Sequence, residues 1–145
     1  MVPTQLLSPQ STLPSRANKF DAGADLYLTK DVKLTQGLVT MVDLEISMSL
    51  PENTVGLIFN RSSNAKKYIS LANAVGVIDS GYRGSIKIPL IYNPPIELPA
   101  HTHLEAGDRV VQLVILPVEL EEFVETSALV SIDTRKAGGF GSTGS

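Results

Sequence analysis

Cysteine is absent from the sequence, and only two histidines occur among its 145 residues. The lack of cysteine excludes disulfide bonds, thiolate zinc sites and a cysteine nucleophile, and it favours a reducing compartment. With two histidines, a histidine-based catalytic triad is disfavoured. There is also no run of about 18 apolar residues and no signal-peptide pattern. We therefore expect a soluble cytoplasmic protein that does not enter a membrane.

Charge is also sparse, because charged residues make up 19% of the chain and the net charge is -3. A general nucleic-acid binder needs a basic face, so nucleic acid is not an expected partner. If the ligand is a polyphosphate, the positive charge must be concentrated locally. The length and the 43% hydrophobic content suit one compact domain with a real core.

The periodicity of the apolar residues predicts strands. Apolar and polar residues alternate from Val42 to Leu50 and from Ser85 to Tyr92, which is typical of half-buried strands. The segment from Val110 to Val118 is apolar on both faces and predicts a strand buried on both sides. Frequent turn signals separate these segments, and only 62–67 suits a short helix. The pattern predicts an all-β sandwich, jelly roll or barrel with at most one short helix.

Three segments carry side chains that suit phosphate chemistry. Asp79 lies in a glycine-rimmed turn, where a carboxylate can take a proton from an attacking water. Arg61-Ser62-Ser63 follows a strand and offers a guanidinium and hydroxyls to phosphate oxygens. Asp25 can face a hydrated Mg²⁺. Each also has a plain structural interpretation, as a turn cap, a helix cap or a polar turn residue.

The last ten residues are rich in glycine and contain one aromatic side chain. Arg135, Phe140 and Ser142 could contact a nucleotide if this tail closed over a site. The alternatives are a disordered terminus or an added linker, since Gly-Ser-Thr-Gly-Ser resembles one. The tail matches G-x-G-x-x-G formally, but no helix can follow it. His101 and His103 share one strand face without a third ligand nearby, so solvated histidines are favoured over a metal site.

Taken together and in order, five segments of this chain resemble the motifs of the trimeric dUTPase family. They are residues 22–27, residues 61–63, residues 76–84, residues 107–113 and the tail from Arg135 to Gly144. The third and the fifth are the specific ones. The resemblance spans nearly the whole chain, from Leu13 to the end. It implies a jelly-roll β-domain over residues 1–134 and a flexible arm over residues 135–145 that closes over the active site.

The resemblance also implies an activity and an assembly. The reaction is the hydrolysis of dUTP to dUMP and pyrophosphate with Mg²⁺ on the triphosphate, which limits uracil in DNA and supplies dUMP for dTMP synthesis. The assembly is a homotrimer whose active sites draw motifs from more than one chain. By matching position, Asp79 activates the water and Asp25 contacts the metal through a water. The implied substrate-binding residues are Arg61, Ser62, Ser63, Asn73, Val77, Ile78, Tyr82, Lys87, Gln112, Arg135, Phe140, Gly141, Ser142 and Thr143.

Some positions depart from the family pattern. Asn60 stands where many relatives have proline, Ser63 and Gly81 replace a glycine and an aspartate common elsewhere, and Lys136 follows Arg135 in place of glycine. The related dCTP deaminases need a glutamate at the position of Pro89, which disfavours deamination. A non-catalytic nucleotide-binding regulator of the same fold stays open as an alternative. A capsid-type jelly roll would not need Asp79, Tyr82 and the tail together.

Overall fold

The fold is nearly all β, as the periodicity predicts. The protein is represented by a computed structural model that describes residues 1–130. This part of the chain forms eleven strands and one four-residue helix: β1 Thr4–Leu6, β2 Ala24–Tyr27, β3 Val32–Thr35, β4 Val39–Asp43, β5 Ile46–Met48, β6 Thr54–Asn60, α1 Ser62–Ala65, β7 Ile69–Leu71, β8 Gly76–Asp79, β9 Lys87–Tyr92, β10 His101–Leu104 and β11 Arg109–Pro117. The short helix lies within the predicted segment 62–67.

The strands form four antiparallel sheets. The largest has the order β2-β11-β6-β8, the next has the order β4-β9-β7, and β1-β5 and β10-β3 are two-stranded. Most neighbours within a sheet are distant in sequence, as in β11 beside β2 and β6. Only such long-range pairing brings residues 22–27, 60–62 and 107–113 to one edge of the protein.

The alternating residues fill one continuous core. Ile86, Ile88, Leu90 and Tyr92 are all buried, which confirms the inner face predicted for the segment from Ser85 to Tyr92. The core also takes one face of β2 and β3 and the whole of the apolar series from Val42 to Leu50. Burial of these side chains is the main stabilising term for a domain that has no disulfide bonds.

The prediction of one continuous strand through Val42–Leu50 is wrong, although the burial of its alternate residues is correct. The strand breaks at Glu45, whose φ of 53° lies in the left-handed region. The Glu45 amide donates to Asp43 Oδ1 over 2.9 Å, and the Glu45 carbonyl accepts from Ser11 Oγ over 2.7 Å. This turn redirects the chain so that β5 leaves β9 and pairs with β1.

The prediction that β11 is buried on both faces holds only for its first half. Val110 and Val111 are buried, whereas Leu116 is 44% exposed. The first half lies between β2 and β6, but from Val114 onward only β6 is a neighbour. The end of β11 therefore has a neighbouring strand on one side only.

After β11 the described chain continues to residue 130 without regular structure and is largely exposed. The predicted boundary at residue 134 and the predicted arm over residues 135–145 lie outside the described residues. Among residues 1–130, no helix has the length and apolar character needed to cross a membrane.

Candidate active site

A polar pocket of about 400 Å³ lies at the edge where β2, β6 and β11 meet. We call it the arginine pocket, and the residues that line it are Ala17, Asp21, Ala22, Gly23, Asp25, Arg61, Ser62, Arg109 and Gln112. Four of the predicted site residues (Asp25, Arg61, Ser62 and Gln112) therefore come together here. Its guanidinium, hydroxyl and amide donors are those that proteins use for phosphate oxygens.

Asp25 organises the two arginines of this pocket. Its Oδ1 lies 2.8 Å from Arg61 Nε, and its Oδ2 lies 3.3 Å from Arg109 Nη1. Arg61 also donates from Nη1 to the backbone carbonyl of Arg109 over 2.9 Å. The backbone of Asp25 is held in turn by a bridge to Ser15. Charge-assisted hydrogen bonds of this kind fix the direction in which the guanidinium groups point.

Gln112 stands directly opposite Asp25 in the sheet, because the two residues are paired across β11 and β2. Its amide nitrogen donates to the backbone carbonyl of Asn60 over 3.2 Å. Gly23 gives it room, since a Cβ at that position would lie 3.1 Å from Gln112 Cδ and closer still to Oε1. The glycine therefore lets the Gln112 side chain pass close to the backbone of residues 22–24.

A second pocket, of about 170 Å³, lies on the chain that connects β8 to β9. We call it the hairpin pocket, and it is lined by Val77, Ile78, Asp79, Tyr82 and Lys87. All five were predicted site residues. Asp79 is the last residue of β8 and is exposed, so its carboxylate is open to solvent and to ligands.

Tyr82 is held in a fixed place within this connection. Its backbone amide donates to the carbonyl of Asp79 over 3.0 Å, and its hydroxyl donates to the carbonyl of Ser85 over 3.0 Å. The phenol ring lies across Gly84, where an added Cβ would be 2.6 Å from Tyr82 Cζ. Only glycine at position 84 lets the Tyr82 ring lie this close to the backbone, because any side chain there would push the ring away.

The base of the connection is tied to β4 through Asp43. Its carboxylate accepts hydrogen bonds from Ser85 Oγ and the Glu45 amide, and its Oδ2 lies 3.8 Å from Lys87 Nζ. Burial raises the pKa of the Asp43 carboxyl, but these hydrogen bonds and the Lys87 charge outweigh it. The net result is a pKa below the ordinary value of 3.8.

The two pockets lie far apart within one chain. Asp79 pairs with Val55 near the start of β6, whereas Arg61 follows the last residue of β6. Six residues of strand separate these levels, which corresponds to about 20 Å. A water bound to Asp79 and a phosphate bound to Arg61 of the same chain would therefore be too distant to react.

Other predicted residues lie outside both pockets. Ser63 is an exposed residue of α1, and Asn73 is exposed in the turn between β7 and β8. The tail residues Arg135, Phe140, Gly141, Ser142 and Thr143 lie outside the described part of the chain. His101 and His103 are exposed on β10 with their ring centroids 5.8 Å apart. Within residues 1–130, no group of three or more His, Asp or Glu is arranged to hold a metal ion.

Arg109 is a pocket residue that the sequence analysis did not single out. The available signal was a cation directly after the turn Ala106-Gly107-Asp108, at the start of an apolar strand. Its partner Asp25 is 84 residues away, so sequence spacing could not reveal the contact.

A third concavity of about 350 Å³ is lined mostly by apolar groups, including Val2, Leu13 and Met48, and by no carboxylate.

These features define an all-β protein with one pocket suited to phosphate groups and a second that presents a carboxylate beside an aromatic ring. The dUTPase family model matches residues 10–144. Proteins named deoxyuridine 5'-triphosphate nucleotidohydrolase from Nocardia farcinica and Mycobacterium leprae are each 43% identical, over 144 and 143 residues. These alignments cover 99% and 95% of this chain and 85% and 91% of the relatives.

Solved structures lead to the same family. A mutant dUTPase of Staphylococcus bacteriophage 80alpha with dUpNHpp has a TM-score of 0.91 at 25% identity and covers 100% of this chain and 99% of its own. A mutant dUTPase of phage phi11, described with a structural Mg(II) ion, has a TM-score of 0.80 at 25% identity, with coverage of 88% and 97%. The chain therefore belongs to the dUTPase family. The predicted jelly-roll-like fold and the classification as a dUTP diphosphatase-type hydrolase are confirmed.

Proposed function

We propose that this protein hydrolyses dUTP to dUMP and pyrophosphate at sites that combine the hairpin pocket of one chain with the arginine pocket of another. The observation that carries the proposal is the pair of complementary pockets, set about 20 Å apart on β6, in a chain of the dUTPase family. One pocket holds the candidate base and the other holds the candidate phosphate ligands. Neither is sufficient alone.

The hairpin pocket supplies the nucleophile. Asp79 accepts a proton from a water molecule as the water oxygen forms a bond to the α-phosphorus. The bond from that phosphorus to the bridging oxygen of the β-phosphate breaks, and pyrophosphate leaves. Because Asp79 is the last residue of a paired strand, its backbone is fixed while its side chain is exposed. Positioning of this kind is the main requirement for phosphoryl transfer.

The same pocket selects the sugar. Tyr82 packs beneath the deoxyribose and leaves no space for a 2′-hydroxyl, while Val77 and Ile78 line the other side. The Tyr82 ring is in contact with Gly84, so it cannot move away from the sugar in that direction. Asn73 and the backbone of the turn between β7 and β8 read uracil, and Lys87 contacts the substrate at the pocket edge. Cytosine would be rejected strongly, because its polar groups and those of the turn backbone would be left buried and unpaired.

The arginine pocket binds the triphosphate. Arg61, Ser62 and Gln112 contact phosphate oxygens, the role that the family resemblance implies for them, and Arg109 adds a second cation beside them. Asp25 binds both guanidinium groups at the wall of the pocket. Ser63 is the next residue of α1 after Ser62 and does not line the pocket itself.

The residues of this pocket fit a Mg²⁺ ion that is carried by the substrate. Asp21 and Asp25 are the two carboxylates at the wall of this 400 Å³ space, and both oxygens of Asp25 already contact arginines. That arrangement suits contact through a water rather than direct ligation, and Mg²⁺ commonly keeps several waters. The ion supplies charge neutralisation of the phosphates. Arg61 and Arg109 contribute the protein's share of that neutralisation.

The assembly proposed is a homotrimer, and the tail completes each site. The two pockets of one chain are too far apart to form one site, so each site needs two chains. In a symmetric trimer, every arginine pocket would face the hairpin pocket of a neighbouring chain. Arg135 would then bind the terminal phosphate, Phe140 would stack on uracil, and Gly141, Ser142 and Thr143 would close the site. Removal of the residues from Arg135 onward should leave the assembly intact and lower activity severely.

The decisive experiment measures pyrophosphate release from dUTP, UTP, dCTP and dTTP with Mg²⁺, in the wild type and in Asp79→Asn. We expect turnover of dUTP alone and a loss of about 10²–10⁴-fold in kcat for the variant, because the proton acceptor is removed. Binding of a non-hydrolysable dUTP analogue should survive, since the amide keeps the shape of the carboxylate.

Three results would contradict the proposal. Undiminished hydrolysis by Asp79→Asn would remove Asp79 from the chemistry. Ammonia release from dCTP would assign deamination instead, although Pro89 occupies the position where that reaction needs a glutamate. Tight nucleotide binding without any turnover would assign a regulatory nucleotide-binding role.

A further inference from the structure

Asn60 at the end of β6 and Asn64 in α1 form a hydrogen-bonded network that the proposed mechanism does not use. Asn64 is only 3% exposed, and its Nδ2 donates to the Val110 carbonyl over 2.6 Å and to Asn60 Oδ1 over 3.0 Å. Asn60 donates from its own Nδ2 to the Ile69 carbonyl over 2.9 Å. One side-chain pair thereby links β6, α1, β7 and β11.

The location of this network connects it to the phosphate ligands. Asn60 immediately precedes Arg61, and its backbone carbonyl accepts the hydrogen bond from Gln112 Nε2. Asn64 binds the carbonyl of Val110, the residue between Arg109 and Val111 at the start of β11. The side chains of Asn60 and Asn64 thus connect the chain segments that contain three candidate phosphate ligands, Arg61, Arg109 and Gln112.

Local structure alone does not fix this corner. The helix α1 has four residues, and its first residue follows Arg61 without a side-chain cap. So short a helix has little stability of its own and depends on tertiary contacts. The hydrogen bonds of Asn64 to β11 and of Asn60 to β7 hold it in place, together with the bond from Arg61 to the Arg109 carbonyl. Loss of either leaves a buried carbonyl or amide unpaired, which is costly.

We infer that Asn60 and Asn64 are positioning residues that hold Arg61 and Gln112 in register for the phosphate groups of the substrate. This inference rests on the proposed function and assigns a role to two residues that line neither pocket. It predicts a specific loss in the binding of pyrophosphate groups, without a loss in the binding of the deoxyuridine part. A purely structural role would lower stability without this selectivity.

The test compares Asn64→Leu, Asn60→Ala and Asn60→Asp with wild type by calorimetric titration of pyrophosphate and of dUMP in the presence of Mg²⁺. We expect pyrophosphate affinity to fall about ten-fold in Asn64→Leu and Asn60→Ala, a change typical of losing a hydrogen-bonded positioning contact. Affinity for dUMP should change less than about two-fold. Asn60→Asp keeps the acceptor for Asn64 Nδ2 but loses the donor to the Ile69 carbonyl and adds a negative charge beside Arg61, so it should lower pyrophosphate affinity at least as much as Asn60→Ala.

The matched control is Leu34→Ala, which removes a fully buried side chain of β3 outside this network. It should lower thermal stability at least as much as the asparagine variants and leave pyrophosphate affinity unchanged. The inference is overturned if the asparagine variants bind pyrophosphate as wild type does, or if Leu34→Ala loses the same affinity.

Steady-state kinetics separates this inference from the proposed function. With dUTP as substrate, the asparagine variants should raise KM about ten-fold and change kcat less than about three-fold. If wild type does not hydrolyse dUTP, the proposed function fails, but the pyrophosphate titrations still decide the inference. If Asn64→Leu does not fold, the two Asn60 variants provide the same comparison.

Discussion

The two candidate half-sites of this chain differ in how their functional groups are held. In the arginine pocket, Asp25 binds both Arg61 and Arg109, and Gln112 is bound to the backbone of Asn60. In the hairpin pocket, Asp79 is exposed at the end of a strand, and Tyr82 is positioned by the turn and by Gly84. The first pocket is a preorganised charged network, whereas the second is an open surface shaped by backbone and close packing.

This difference matches the demands of the two tasks. Binding a triphosphate requires guanidinium groups that already point in the right direction, since reorienting them on binding would cost free energy. Holding a nucleophilic water requires an accessible carboxylate and an excluded 2′-hydroxyl. Because the two pockets lie at opposite ends of β6, the proposed reaction requires the assembly of chains. The predictions below test that separation first and then the construction of the hairpin pocket.

The largest expected effect is the recovery of activity when two inactive variants are combined. Asp79→Asn and Arg61→Gln should each lose most activity as pure assemblies. When the two chains are co-expressed, sites that take Arg61 from one variant and Asp79 from the other become complete. Random assembly of shared sites should restore about a quarter of wild-type activity. The measurement is dUTP hydrolysis, per mole of chain, by the unselected mixture of assemblies formed from equal amounts of the two chains.

The control uses a chain with both substitutions, mixed with wild-type chains. Shared sites again predict about a quarter of full activity, whereas sites contained in one chain predict about half. Sites within one chain also predict no recovery at all for the two single variants. That combination of results would refute the division of the site between chains.

A smaller effect is expected from Gly84→Ala, which tests how the hairpin pocket is shaped. The new methyl group would overlap the Tyr82 ring, so the ring must move away from the turn. We expect kcat/KM for dUTP to fall about ten-fold and discrimination against UTP to decrease, because the space for a 2′-hydroxyl opens. Gly81→Ala is the matched control, since a Cβ there meets nothing within 4 Å. Equal kinetics for the two variants would show that the ring position does not set sugar selection.

The smallest effect concerns the link between the hairpin pocket and β4. The pKa of Asp43 is lowered in the folded protein, so its carboxylate adds stability at pH values above the ordinary value of 3.8. That contribution is lost as the pH falls below this value through the folded pKa. Asp43→Asn should lower Tm by about 1–4 °C at pH 7, and the difference should shrink as the pH is lowered below 3.8. Thermal unfolding followed by circular dichroism measures it, and a constant difference across this range would exclude the charge effect.

Much of the fold could be predicted from the alternation of apolar and polar residues. The burial of Ile86, Ile88 and Leu90 follows directly from it, because a strand presents alternate residues to one face. The break at Glu45 could not be predicted in this way. It depends on Asp43 and Ser11 binding the backbone of Glu45, and a non-glycine residue with positive φ leaves no compositional signal.

The candidate site was predictable in its parts but not in its geometry. Resemblance to the family identified Asp25, Arg61 and Gln112, and the structure brings all three to one pocket. Arg109 was missed because its role comes from a contact with a residue 84 positions away. The separation of Asp79 from Arg61 also required the register of β8 on β6.

The sequence by itself determined which residues are buried and which chemical groups are available. Those properties depend on hydrophobic patterning and on side-chain chemistry, which are local and can be read along the chain. Only the tertiary structure decided which of these groups meet. Asp25 is joined to Arg61 and Arg109, and Asp79 is kept apart from them, because long-range strand pairing and its register place them there. Such pairing arises from the packing of the whole core, to which every strand contributes and which no single segment encodes.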